Sequence, residues 1–422
     1  MKKHEVVITS YGIVSPIGKD AEEFEKNLFA GVSGVRNIRG VLTDDMKFPV
    51  PYAAYVPLEY LGPSKLFKDR LGSQNTGPSD LNIPKSWLMT EQATIQALEG
   101  LDRSLRFDAM VYGTADGVSY DMVEGILKNG TPADFNHTTT CSESSLTVVR
   151  DTMVAMGFNK LDDKQLISLN SACATGNQTI GIAYLGIRSG RWKRVIVGGV
   201  DSRCTLSNFL NFNMLGALAT DECPPEKASR PFSKNRCGFV RGEGAVTIVM
   251  ESREEAEARG AKILGVVSGY GCTSDAYRLT DGREDGASVI HAMKEAIRTA
   301  GLTINDIDYI NAHGTATPLN DRLETFAIKQ VFGERAYKIP VSSIKSQIGH
   351  STIAASSIEA VACLMMLNRQ MVSPTINYEE PDPECDLDYV PNKSREMKLS
   401  HILSNSFGFG GQNTCVVFSK GN

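Results

Sequence analysis

Three side chains whose types suit acyl and proton transfer stand among small residues in this sequence: Cys173, His313 and His350. An apolar stretch at 166–169 predicts a buried strand before Cys173, and another at 178–187 predicts a helix just after it. A cysteine at the start of a helix faces unpaired N–H groups and the positive end of the helix dipole, which favour the thiolate. This pattern predicts a nucleophile with a lowered pKa, whereas most cysteines in other settings are buried structural residues.

Both histidines follow predicted strands, at 307–311 and 339–344, and fall at strand-to-helix junctions that correspond to the position of Cys173. Either histidine alone would more often be a packing residue, but two at matching strand ends favour one joint site with the cysteine. A cysteine and two histidines could bind a metal in principle. The close ligand spacing typical of zinc motifs is missing, however, so we expect neither a metal nor a cofactor.

These junctions belong to a pattern that occurs twice. The strand predicted at 108–112 ends at Gly-Thr-Ala-Asp, and the one at 307–311 leads to His-Gly-Thr-Ala-Thr. In both halves another strand, a turn and a helix follow, which indicates a duplicated α/β unit whose strand ends converge on one site. A charged segment at 252–260 predicts a linking helix. We therefore expect an N-terminal half over 1–259, which carries the cysteine, and a C-terminal half over 260–422, which carries the histidines.

The composition is that of an ordinary globular enzyme. The chain has 422 residues and a net charge of -5, which gives no sign of nucleic-acid binding. Its nine cysteines are scattered and form no Cys-x-x-Cys pair, which favours a reducing compartment without disulfides. There is no signal-peptide core and no apolar run long enough to span a membrane, so we expect a cytoplasmic protein.

Four motifs, in this order, resemble those of the decarboxylating β-ketoacyl-acyl-carrier-protein synthases, and the resemblance covers nearly the whole chain. They are Ser-Ala-Cys-Ala-Thr-Gly at 171–176, Asn-Ala-His-Gly-Thr-Ala-Thr-Pro at 311–318, Lys-Ser-Gln-Ile-Gly-His at 345–350 and Asn-Ser-Phe-Gly-Phe-Gly-Gly at 405–411. The resemblance implies an α/β protein with the thiolase fold, in which two similar halves form a five-layer α-β-α-β-α sandwich. It also implies an obligate dimer.

The resemblance assigns chemistry to these motifs. Cys173 would take the growing acyl chain as a thioester, and its own N–H and that of Phe409 would form the oxyanion hole. A malonyl thioester would then lose carbon dioxide. Neutral His313 and His350 would donate hydrogen bonds to the enolate oxygen, and the carbanion would attack the thioester on Cys173.

Other residues of the motifs would support this reaction. Lys345, paired with Glu324, would hold the region around His313 and set the local charge. The resemblance also implies substrate-contacting residues: Thr315 and Thr317 at the pantetheine arm, and Phe407 and Phe409 as gating aromatics. Core packing explains the two phenylalanines equally well.

Two pathways use this chemistry. The segments at 320–325 and 381–391 look more like ketosynthase-alpha subunits of type II polyketide systems, so we expect elongation of a polyketide chain with malonyl-acyl-carrier protein. The alternative is a housekeeping 3-oxoacyl-acyl-carrier-protein synthase II of fatty-acid biosynthesis. A non-catalytic chain-length partner is disfavoured because Cys173 and both histidines are intact. A thiolase would want a second catalytic cysteine, and Cys415 falls in a predicted last strand instead.

The implied partners are an acyl carrier protein and a second subunit, which is either another copy or a chain-length-factor homologue. Carrier proteins are acidic, so docking through basic residues is expected, with Lys65, Lys68, Arg70 and Lys85 as candidates. Asp116 falls where the fatty-acid enzymes place an apolar side chain against the acyl chain. A carboxylate there either caps a turn or faces a polar chain or the partner subunit.

Overall fold

The computed structural model describes residues 3–39, 50–64, 66, 84–114 and 144–421. The strands in chain order are β1 (Val6–Val14), β2 (Arg36–Asn37), β3 (Tyr52–Ala54), β4 (Ala109–Gly113), β5 (Leu166–Leu169), β6 (Arg194–Asp201), β7 (Arg241–Gly242), β8 (Gly244–Ser252), β9 (Gly265–Ser274), β10 (Tyr309–Asn311), β11 (Val341–Ser342), β12 (Met371–Val372), β13 (Arg395–Glu396), β14 (His401–Gly408) and β15 (Gln412–Ser419). The helices are α1 (Ala21–Ala30), α2 (Lys85–Leu98), α3 (Ser145–Ala155), α4 (Thr175–Arg188), α5 (Leu206–Met214), α6 (Arg253–Ala258), α7 (Ala287–Ala300), α8 (Pro318–Phe332), α9 (Lys345–Ile348) and α10 (Ala355–Arg369). Asp116, Lys65, Lys68 and Arg70 lie outside the described residues.

Within the described residues, ten strands are hydrogen-bonded in the order β11-β10-β14-β15-β9-β1-β8-β6-β4-β5. The five strands of each half are joined through β1 and β9, which pair only at Val6, Val7 and Ile8 of β1. Counted outward from the β1–β9 pair, the strands of the first half follow in the order β1, β8, β6, β4, β5, and those of the second half in the order β9, β15, β14, β10, β11. Numbered along the chain within each half, both orders are first, fifth, fourth, second and third. The pairing directions also agree, because β4 runs parallel to β5 and β6 while β10 runs parallel to β11 and β14. The predicted duplication of an α/β unit is therefore confirmed.

Helices α4 and α10 form the middle layer, since each contacts strands of both halves. Every residue from Ala355 to Leu367 is buried, as a helix covered on all sides requires. The two helices meet closely where they begin: a Cβ added to Gly176 would lie 2.3 Å from the backbone nitrogen of Ser357. With α2 and α3 on one outer face and α7 and α8 on the other, the layers are the predicted α-β-α-β-α.

The positions at which α4 and α10 begin correct the prediction that His350 corresponds in position to Cys173. The predicted helix after residue 350 begins only at Ala355, behind a 3₁₀ turn at Thr352–Ala354 that matches the turn Ala172–Ala174 before α4. The first residue of each turn has a positive φ, 48° at Ala172 and 32° at Thr352. The structural counterpart of Cys173 is therefore Ile353, and His350 lies three positions ahead of it.

The predicted linking helix is α6, which Ser252 caps by accepting a hydrogen bond from the backbone of Glu255 (3.3 Å). The division at 259/260 falls between α6 and β9, and it stays a prediction. No helix in the described parts of the chain is long and apolar enough to cross a membrane.

Candidate active site

The turn Ala172–Ala174 carries Cys173 between β5 and α4. The cysteine is buried, and its Sγ lies 3.0 Å from Nε2 of His350. Two serine hydroxyls donate to the Cys173 carbonyl, from Ser406 at 2.8 Å and Ser356 at 3.4 Å. The backbone of the nucleophile turn is thus fixed from β14 and α10.

The prediction of a lowered cysteine pKa is wrong for the unacylated protein. Burial raises the pKa of the Cys173 thiol to about 11, and the Phe409 N–H, Lys345 and Arg241 only partly oppose that effect. The helix begins at Thr175, two residues after the cysteine, and desolvation of a buried thiolate outweighs the nearby positive charges. Cys173 is therefore a thiol at neutral pH, and its attack requires a proton acceptor.

Both histidines are buried and neutral. Burial, followed by the charge of Lys345, lowers the pKa of His313 and of His350 well below the ordinary value. Their ring centroids are 5.4 Å apart with an angle of 82° between the planes. Neutral imidazoles at this spacing can each donate one hydrogen bond to an oxygen held between them, and the tautomer of His350 that leaves Nε2 unprotonated can accept the thiol proton.

The structure corrects the expected pairing of Lys345 with Glu324. Lys345 Nζ forms an ion pair with Glu359 of α10 and donates to the His313 carbonyl at 2.6 Å. Glu324 accepts instead from the backbone N–H groups of His313 and Gly314, both at 2.8 Å. The two residues hold the His313 segment from its carbonyl side and its amide side, so a direct ion pair between them is not needed.

The Gly-rich turn after β14 completes the surroundings of the sulfur. The backbone N–H of Phe409 is directed at the Cys173 thiol. A Cβ added to Gly408 would lie 3.1 Å from the Cys173 nitrogen and 2.8 Å from the Ser171 oxygen. Only a glycine allows this close approach of the end of β14 to the turn that carries Cys173.

A cavity of about 300 Å³ opens onto the sulfur. Of the residues proposed from the sequence, its lining includes Cys173, His313, His350, Glu324, Thr315, Thr317, Phe407 and Phe409. The hydroxyl oxygens of Thr315 and Thr317 are 2.9 Å apart. Lys345 lies behind the lining, and Asp116 lies outside the described residues.

Within the described part of the chain, the same three residues could hold a metal ion, because one ligand atom from each of Cys173, His313 and His350 lies within 4.8 Å of the other two. A histidine that binds a metal usually donates its other ring nitrogen to a carboxylate or a carbonyl, whereas Nδ1 of His313 and of His350 is buried without a hydrogen-bond partner among the described residues. The donor set therefore fits a thiol nucleophile with two neutral hydrogen-bond donors better than a cation site.

Sequence reasoning missed several residues that support the site. Glu359 was detectable, because a lone carboxylate in the apolar run Ile358–Leu364 must have a buried partner. Phe239, whose ring packs edge-on against His350 with centroids 5.2 Å apart, gives no signal of its own. Nor does Arg241, which is fully buried beside the His350 backbone.

A duplicated five-layer α/β sandwich with a buried cysteine and two histidines at its centre defines a condensing enzyme of the thiolase type. Residues 165–256 match the family described as beta-ketoacyl synthase, N-terminal domain, and residues 264–379 match beta-ketoacyl synthase, C-terminal domain. The chain belongs to the β-ketoacyl synthase family, and it is an acyltransferase.

Relatives with two different names align over the whole chain. A 3-oxoacyl-[acyl-carrier-protein] synthase 2 of Coxiella burnetii is 37% identical over 425 residues, covering 100% of this chain and 99% of that protein. A putative polyketide beta-ketoacyl synthase 1 of Streptomyces halstedii is 36% identical and covers 98% of this chain and 97% of its own. Among solved structures, a type II polyketide ketosynthase in complex with its acyl-carrier protein and bound to the hexaketide superposes with a TM-score of 0.86 at 30% identity, covering 99% and 100% of the two chains.

Proposed function

We propose that this enzyme condenses an acyl thioester on Cys173 with malonyl-acyl-carrier protein and releases carbon dioxide. The observation that carries the proposal is the contact between the Cys173 sulfur and His350 Nε2 (3.0 Å) in a cavity that His313 also lines. The first step is acyl transfer: the thiol gives its proton to His350, the sulfur attacks the carrier-bound thioester, and His350 returns the proton to the carrier sulfur, which leaves as a thiol. Negative charge on the carbonyl oxygen is stabilised by the N–H groups of Cys173 and Phe409.

Condensation follows on the acylated enzyme. A malonyl thioester in the cavity places its carbonyl oxygen between His313 and His350, whose neutral rings donate to it as carbon dioxide departs. The carbanion attacks the thioester on Cys173, a carbon–carbon bond forms, and the sulfur leaves as the thiolate. The product is a β-ketoacyl group that remains on the carrier protein. Thr315 and Thr317 line the cavity where the pantetheine arm would extend, and Phe407 and Phe409 line the same cavity.

The experiment that tests this function follows the cysteine directly. Incubation with acyl-carrier substrate should add the acyl mass to the peptide that contains Cys173, and malonyl-carrier protein should then convert it to a carrier-bound β-ketoacyl product. Cys173→Ala should abolish both. Cys363→Ala, which changes a buried cysteine that does not line the cavity, is the matched control and should keep both. An adduct on another cysteine with Cys173 unmodified would contradict the proposal.

The same assay separates the two pathways. We favour elongation of a poly-β-keto chain in a type II system, supported by the full-length similarity to a hexaketide-bound ketosynthase. The Coxiella relative supports the fatty-acid alternative equally. Faster condensation with acetoacetyl than with butyryl on the carrier would favour the first pathway, and the reverse order would favour the second.

The partners of the enzyme are an acyl carrier protein and a second subunit. Among the residues with described positions, β5 pairs only with β4, so the outer edge of the large sheet is available to another chain. Either a second copy or a chain-length-factor homologue could continue the sheet there. Of the basic residues expected at the carrier interface, Lys85 forms an ion pair with buried Glu243, so its charge is already compensated.

A further inference from the structure

Two buried charges beside His350 have no part in the chemistry above. Arg241, in the short strand β7, is fully buried, and Asp201, the last residue of β6, is buried as well. Taking two charges out of water is unfavourable before pairing is counted. A buried pair of charges at this place therefore needs a structural or functional reason, which its hydrogen bonds show.

Four hydrogen bonds of this pair lead to one short segment of the chain, residues 350–353. Arg241 donates from Nη2 to Asp201 at 2.9 Å, and from Nη1 to the His350 carbonyl at 3.0 Å and the Thr352 hydroxyl at 3.2 Å. Asp201 accepts from the Thr352 hydroxyl and, at 3.4 Å, from the backbone N–H of Ile353. Arg203 completes the cluster by pairing with Asp201 at 2.7 Å. Although burial alone would raise the pKa of Asp201, Arg203 and Arg241 lower it, so the carboxylate is ionised.

The segment that the pair holds is strained and needs anchoring. Thr352 is a β-branched residue with a positive φ of 32°, a conformation that such residues rarely adopt without support from their surroundings. Its hydroxyl lies within hydrogen-bond distance of Arg203, Arg241 and Asp201. The anchor therefore acts two residues after the histidine that contacts the nucleophile.

The imidazole of His350 lacks the usual means of fixing its direction. A catalytic histidine is commonly oriented by a hydrogen bond from its second ring nitrogen to a carboxylate or a carbonyl. Nδ1 of His350 is buried and has no hydrogen-bond partner among the described residues. The direction of the ring is therefore set by its backbone and by packing against Phe239.

We propose that Arg241 and Asp201 are positioning residues that hold the His350 backbone so that Nε2 faces the Cys173 sulfur and the enolate oxygen. Arg241 touches the carbonyl of His350, and Asp201 fixes the turn that follows. The ion pair thus replaces the missing Nδ1 partner as the device that orients the ring. This inference rests on the proposed function of His350.

The test is a double-mutant cycle on malonyl decarboxylation. Arg241→Met keeps the length of the side chain over Phe212 and leaves Asp201 paired with Arg203. We expect its rate constant to fall at least tenfold with little change in KM for the malonyl carrier, and Arg241→Lys to recover part of the loss. In a His350→Ala background the same substitution should cost less than twofold, because no ring remains to be positioned.

The matched control is Arg194→Met, which breaks another buried arginine–carboxylate pair, with Glu251, at the opposite end of β6 (2.7 Å). It should lower the melting temperature comparably and leave the decarboxylation rate within twofold. An equal loss from Arg241→Met with and without the His350 ring would show a purely structural role and overturn the inference. If Arg241→Met does not fold, Thr352→Val, which removes the hydroxyl that bonds Arg241 and Asp201, replaces it in the same double-mutant cycle with His350→Ala. A His350→Ala enzyme with a wild-type rate would instead refute the proposed function itself.

Discussion

Burial controls the protonation of the three central residues, with opposite consequences for the sulfur and the imidazoles. It raises the pKa of Cys173 and lowers the pKa of His313 and His350, so all three are neutral at pH 7. Two neutral imidazoles can donate to an enolate without binding a proton first. The thiol, however, must lose its proton during attack, and His350 is the group in contact with it.

This asymmetry separates the effects of the two histidines. His313→Ala should lower malonyl decarboxylation by about 10²–10³ and leave acylation of Cys173 nearly unchanged, since it removes one enolate donor. His350→Ala should slow both steps, because its ring also contacts the thiol. Release of labelled carbon dioxide and intact mass measure the two steps.

His401→Ala is the control for these variants, because its ring bonds Ser419 and does not line the cavity. It should keep both rates. If His313→Ala or His350→Ala decarboxylated malonyl-carrier protein at the wild-type rate, the substituted histidine would not be a donor to the enolate oxygen.

Residue types and spacing were sufficient to predict that Cys173, His313 and His350 come together. They were insufficient for the partner of Lys345, because Glu324 and Glu359 both lie on helices near the same turn and only packing decides between them. Thiol acidity was mispredicted for a similar reason: the local sequence shows a helix start, while desolvation depends on everything packed around it.

At the scale of elements, the Gly-rich segment at the end of β14 packs directly against the turn that carries Cys173. Gly408→Ala should reduce the rate of Cys173 acylation about 10²-fold, because its methyl group would push against the Cys173 nitrogen, one donor of the proposed oxyanion hole. Stopped-flow acylation with a melting curve measures the effect against stability.

Gly410→Asn serves as the control in the same turn. Gly410 has a φ of 80°, which asparagine tolerates, and nothing lies within 4 Å of an added Cβ. Equal acylation by both variants would mean that the close approach at Gly408 has no part in the reaction.

Most elements near the site were predictable because hydrophobic runs and glycine turns mark them. The predicted strands at 108–112 and 307–311 correspond to β4 and β10 within two residues at each end. The helix after residue 350 was placed too early, since the 3₁₀ turn at Thr352–Ala354 has the same composition as a helix start. Its geometry depends on the bonds from Arg241 and Asp201, which are distant in sequence.

At the scale of the whole molecule, the open edge at β5 predicts the assembly. Ser168 is the exposed residue of this strand. Ser168→Lys would set like charges close together if two copies of β5 pair antiparallel across a twofold axis. Light scattering should then show a shift from dimer to monomer, or a weaker complex with a chain-length-factor homologue.

Glu396→Lys, on the exposed strand β13, is the control and should leave the assembly unchanged. A Ser168→Lys protein that remained fully dimeric would place the subunit contact elsewhere on the molecule.

The matched turns at Ala172–Ala174 and Thr352–Ala354 have a consequence for how such a chain can change. The two turns carry different residues: the first has the nucleophile Cys173, and the second has Ile353, with the hydrogen-bond donor His350 three positions earlier. Because the helices behind both turns begin against each other at Gly176 and Ser357, a side chain added at one helix start would displace the other. A substitution at either start is therefore expected to need a compensating change in the other half of the chain.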